Sequence, residues 1–213
     1  MSEIRIRTVI SMMASFLAVV LVAIPAFSQN RFQPLTGTFR YTQDSSIIQA
    51  FQLLQGTTGE SSLDAIMNHS TRVLFRDLRS IDKRLKDFHA ISWTTAENSS
   101  QYMIFINEKH RAAPPEALAA LIAHEALHSD PYNSMNEEVA GWTREAQVWS
   151  EMKQRNPQLS QIPVGTDPLV DRLNRLEQEY NNGSFDQFVR TQPGYAGLAE
   201  SSPGFELPVA HVH

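Results

Sequence analysis

The 213-residue chain contains no cysteine. Without thiols there is no disulfide, no lipid-modified cysteine anchor and no cysteine to hold over a metal as a latency switch. Long runs of like charge are also missing: charged residues make up 19% of the chain and the net charge is -5, which leaves no basic footprint for nucleic acid. Nucleic acid is therefore not an expected partner. No internal repeat is present. What remains is an ordinary globular composition, 42% apolar, in a length that suits one domain with a real hydrophobic core.

The first 28 residues read as an export signal. Arg5 and Arg7 form a positive start, Thr8 to Ile24 an apolar run, and Ala26-Phe27-Ser28 a small-residue cleavage site. A secreted or periplasmic protein is expected, touching the membrane only if this segment stays uncleaved. Residues 29–46 are a polar, extended lead-in, and residues 47–190 the folded domain. The tail, 191–213, is rich in Pro, Gly and Ser and is expected to be flexible. Within the domain, apolar spacing predicts helices over Ile47–Gln55 and Leu63–Leu78. Strand chemistry follows at Ile91–Thr94 and Tyr102–Ile106, with Asn98-Ser99-Ser100 as the turn. Pro114 and Pro115 open a helix expected to run through His128, and two more are expected over Met135–Arg155 and Pro168–Tyr180. The fold class is α+β, mostly helical, with a small sheet beside the helix that carries the chemistry.

That chemistry lies in His124-Glu125-Ala126-Leu127-His128. Residues four apart stack on one helical face, so two imidazoles can grip one cation, while Glu125 projects beside them toward a metal-bound water. This is the arrangement that zinc-assisted hydrolysis needs. A third ligand must come from elsewhere, and Glu137 and Glu138, just after the turn, are the candidates. Ser134-Met135-Asn136-Glu137 fits a capping box that would occupy Glu137. Glu138 flanks the apolar stripe of Met135, Val139, Trp142, Ala146 and Trp149, whereas Glu137 points nearly opposite it. Glu138 is the first choice and Glu137 the second.

From Tyr102 to Trp149 the chain resembles the zincin metallopeptidases of the gluzincin type, in which a His-Glu-x-x-His helix is completed by a glutamate on a following helix. The gap between His128 and the glutamates is shorter here than in larger members. The resemblance implies a Zn2+ ion held by His124, His128 and Glu138 or Glu137, Glu125 as general base, and a peptide or protein substrate. It also implies that Tyr102–Asn107 is the sheet edge that pairs with extended substrate. Tyr132, Arg144 and His110 are the nearby candidates for stabilising an oxyanion. The alternative reading is a non-catalytic exported scaffold or binding protein in which zinc staples two helices.

Overall fold

The computed structural model describes residues 37, 40–95, 98–128 and 133–202, with the backbone alone described at 94, 95 and 98–101. The segment expected to be an export signal, the 96–97 connection, Tyr132 and residues 203–213 lie outside these, and the described residues belong to the compact unit Phe32–His213. Among them, no helix is long and apolar enough to cross a membrane.

Helices start where short polar side chains take up free N–H groups. Asp44 accepts from the Ser46 N–H at 3.1 Å and opens α1 (Ser45–Leu54). That helix buries Ile47, Ala50, Phe51 and Leu54, the spacing of one helical face. α2 (Glu60–Asn68) follows. After three strands comes α3 (Pro115–Glu125), begun by Pro115 and buried from Ala117 to Glu125. Ser134 accepts from the Glu137 N–H at 3.3 Å to open α4 (Met135–Arg155). Asp167 accepts from Leu169 and Val170 at the start of α5 (Pro168–Asn181), and a short α6 (Phe185–Arg190) ends the helical part. Each such cap is worth about 1 kcal/mol.

The sheet has three strands in the order β1 (Arg72–Arg76), β3 (Asn98–Asn107), β2 (Ala90–Thr95). β1 runs parallel to β3 and β2 antiparallel to it. Val73, Ile104 and Ile106 point into the core, which α1, α3, α4 and α5 complete. α3 is the centre of this packing, in contact with α1, α2, α4, α5 and β2. The architecture is the mostly helical α+β fold expected from the sequence.

Several local expectations are corrected. The helix expected over Leu63–Leu78 stops at Asn68, where Ser70 takes a left-handed φ of 52°. Val73, Leu74 and Phe75 then form β1, because branched and aromatic side chains suit a half-buried pleat better than a helix. Asn98-Ser99-Ser100 is part of β3 and not a turn. β3 is the central strand and β2 the edge, so Tyr102–Asn107 is not available to pair with anything further.

The tail is also tied down as far as it is described. The first N–H groups of a helix have no partner inside it, and here the N–H groups of Met135 and Asn136 donate to the carbonyls of Ala199 (2.8 Å) and Glu200 (3.1 Å). This contact holds residues 193–200 against the start of α4.

Ile104, at 1% exposure in the central strand, tests this core. Ile104→Ala should lower the free energy of unfolding by about 2–5 kcal/mol. Urea denaturation measures it, and a loss under about 1 kcal/mol would contradict the assigned packing.

Candidate metal centre

α3 presents His124 from its last turn, and the backbone then tightens. Leu127 N–H bonds the His124 carbonyl at 2.9 Å and His128 N–H the Glu125 carbonyl at 3.3 Å, so the α-helix ends at Glu125 rather than running through His128. The rings nevertheless converge, with centroids 5.3 Å apart. α4 packs across them. Its Glu138 places one carboxylate oxygen 3.5 Å from His124 Nε2 and the other 3.8 Å from His128 Nε2. Ligand atoms of His124, His128 and Glu138 all lie within 4.8 Å of one another, and together they could hold a metal ion.

The close approach depends on Gly141. A Cβ built there would lie 2.5 Å from His124 Cδ2 and 2.7 Å from Nε2, closer than real atoms come. Glu138, Gly141 and Glu145 follow one another along one side of α4 at helical spacing. Glu138 and Glu145 therefore bracket the His124 ring, and Glu145 Oε2 lies 3.0 Å from Nδ1.

Glu145 is fully buried. Arg172 of α5 donates to both of its oxygens and stacks its guanidinium 4.7 Å from the centre of the Trp142 ring. Glu137 performs the matching service for His128, with Oε1 3.3 Å from Nδ1. Each imidazole thus has a carboxylate on Nδ1, the arrangement that fixes tautomer and ring angle in metal sites.

Glu137 is buried at 1% exposure, on a face expected to point away from the core. His128, three residues past the end of α3, meets Glu137 in the first turn of α4, which buries that side too. Of the expected capping box only half is present, because Ser134 caps Glu137 while the Glu137 side chain goes to His128.

The electrostatics fit a cation. Four carboxylates (Glu125, Glu137, Glu138 and Glu145) are buried around one guanidinium. With neutral imidazoles, three negative charges are left without a counter-charge, which burial makes costly. Protons on both rings, or one divalent cation, remove two of them. Burial pushes the His124 imidazolium down, but Glu138 and Glu145 override it and raise its pKa to about 10. The His128 pKa is also raised, burial being outweighed chiefly by Glu137. Glu138 is held down at about 2 against its own burial by the two histidines. One of its oxygens accepts from Asn133 Nδ2 at 2.7 Å, while Oε2 is buried with no hydrogen bond. An acceptor left open in this way is what a ligand to a cation requires.

Glu125 stands beside this cluster and outside it. Its Oε2 lies 2.9 Å from Ser92 Oγ, which also reaches the Glu125 carbonyl at 2.7 Å. His124, Glu125, His128 and Glu138 line a cleft of about 200 Å³ together with Ala90, Ile91, Ser92 and Tyr195. Side chains of a strand alternate between faces, so three consecutive lining residues mean that the edge of β2 faces the cleft.

Of the three residues considered for an oxyanion, none described is at the site. Arg144 donates to Ser61 and Ser62, His110 pairs with His89, and Tyr132 lies outside the described residues. Tyr195, from the tail, is there instead. Its hydroxyl accepts from Trp142 Nε1 at 2.7 Å, and burial and then the neighbouring Glu138 carboxylate keep it protonated far above the ordinary tyrosine range. No protein-family model, curated protein or solved structure matches this chain.

Gly141→Ala isolates the close approach of α3 and α4. Replacing a mid-helix glycine by alanine ordinarily stabilises by about 1 kcal/mol, but overpacking His124 costs about 1–3 kcal/mol. The variant should unfold at lower denaturant than the parent and bind divalent metal more weakly. A more stable variant with unchanged metal affinity would show that the approach is looser than described.

Proposed function

We propose that this chain is an exported zinc-dependent hydrolase that cleaves peptide bonds, with His124, His128 and Glu138 as ligands and Glu125 as general base. The observation that carries the reading is the position of Glu125: in the same cleft as the three-residue cluster, yet not part of it. A structural zinc site is closed by four protein ligands and has no use for a base beside it, whereas catalytic sites keep three ligands and an open side. Zinc held there would supply Lewis acidity and make a water acidic near neutral pH.

The protein's own groups do the rest. Glu125 takes a proton from the attacking water as the new C–O bond forms, then delivers it to the amine nitrogen as the C–N bond breaks. Ser92 holds the Glu125 carboxylate from one side. Tyr195, locked as a protonated donor, stabilises the charge that collects on the carbonyl oxygen. Glu137 and Glu145 hold the two imidazoles in their ligating orientation. The edge of β2, unpaired among the described residues, offers backbone groups to an extended peptide, the same pairing that adds a strand to a sheet.

The test is a peptide-library cleavage assay on zinc-loaded protein, with Glu125→Gln as the matched control. The variant should retain zinc while cleavage falls about 10²–10⁴-fold, and Tyr195→Phe should lower kcat with zinc content unchanged. Equal cleavage by Glu125→Gln removes its role as base. Zinc-loaded parent protein that cleaves nothing in the library points to a zinc-stapled scaffold instead.

A further inference from the structure

A second cavity, of about 460 Å³, opens beside the metal cluster and shares His124, Glu125 and Tyr195 with the first cleft. That volume falls in the range of small-molecule and side-chain pockets. Its walls include Leu121, Trp142, Leu176 and Phe188. Two groups in it are polar and unused. Arg175 lies 5.2 Å from the centre of the Phe188 ring and has no acidic partner among the described residues. Arg172, by contrast, is committed to Glu145.

The other unused group is His89. Its ring stacks on that of buried His110, with Nδ1 2.9 Å from His110 Nε2. His110 Nδ1 is buried with no partner. A buried N–H without an acceptor is rarer in proteins than an acceptor without a donor, so His110 carries its proton on Nε2 and donates it to His89 Nδ1. His89 must then carry its own proton on Nε2. That nitrogen has no partner among the described residues and is not among the sealed, unpartnered atoms, and His89 lines the cavity. Burial, helped by Arg172 and Lys109, keeps His89 neutral with a pKa of about 3, and burial keeps His110 neutral at about 4. The pair is a fixed neutral donor at ordinary pH.

We propose that this cavity binds the carboxyl-terminal residue of a peptide, its apolar or aromatic side chain against Trp142 and Phe188 and its terminal carboxylate held by His89 Nε2–H and the Arg175 guanidinium. Hydrogen bonds from a cation to a carboxylate are about twice as strong as neutral ones; of the two acids lining the cavity, Glu125 accepts from Ser92 at 2.9 Å and Asp87 lies 3.8 Å from Lys86 Nζ. As a subsite of the hydrolase proposed above, the inference rests on that reading and makes the enzyme one that trims chain ends. The binding itself needs no metal.

The experiment titrates metal-free parent protein with N-acetyl-phenylalanine and with N-acetyl-phenylalaninamide, followed by NMR or calorimetry. The free acid should bind saturably and about tenfold more tightly than the amide. His89→Leu should lose most of the acid's affinity, His89→Gln, which restores an N–H at similar reach, should recover part of it, and Arg175→Gln should narrow the gap between acid and amide. Equal affinity for the two ligands in the parent, or an acid affinity unchanged in His89→Leu, overturns the proposal. Acid preference without peptide cleavage by zinc-loaded protein supports the cavity and removes the hydrolase. Cleavage without acid preference does the reverse.

Discussion

His124 is gripped from both ring nitrogens by one helix. Glu138 and Glu145 approach Nε2 and Nδ1 from positions two turns apart on α4, with Gly141 between them so that the ring can lie almost against the backbone. This contact sets the depth at which α3 and α4 pack, and the remaining site geometry follows from it. Glu137 meets His128 because α4 begins just there, and Arg172 is drawn in from α5 because Glu145 would otherwise be a buried charge with only an imidazole for company. Trp142, one position beyond the glycine, packs over Arg172 and anchors Tyr195.

Much of this was legible in the residues. His124 and His128 at helical spacing, a glutamate between them and two more further on contain the three residues that could hold a metal and Glu125 beside them; the capping box and helical periodicity both favoured Glu138 over Glu137, but neither showed that Glu137 would be buried against His128. The start of α4 could be read from its Ser134 cap and its end from Pro157, two residues past Arg155. Illegible were the contacts made by residues distant in sequence. Glu145 looks like one more acid on an amphipathic helix until Arg172, 27 positions on, is folded against it. One signal was available: Glu145 lies one residue before Ala146 in the apolar stripe and seven after Glu138, a spacing that returns to the same helical face.

Tyr195 was obscured for a different reason. Pro, Gly and Ser lower helical and strand propensity, and a tail rich in them reads as unordered. Order there comes from two backbone carbonyls that satisfy the exposed N–H groups at the start of α4, an interaction any sequence can make and none announces. The Leu63–Leu78 helix failed for a related reason: apolar spacing over Val73, Leu74 and Phe75 suits a helix or a half-buried strand, and pairing with β3 decided it.

The buried carboxylates leave the cluster with a deficit that two protons or one dication can fill, and metal uptake must displace the protons. The most direct test is therefore to add Zn2+ to chelator-treated protein at pH 7 in weak buffer and follow both zinc bound and protons released. About one equivalent should bind with release of about two protons, and Glu138→Gln should abolish the uptake while Glu137→Gln only weakens it. A correctly folded chain that takes up no zinc, or binds it equally well without the Glu138 carboxylate, would contradict the account.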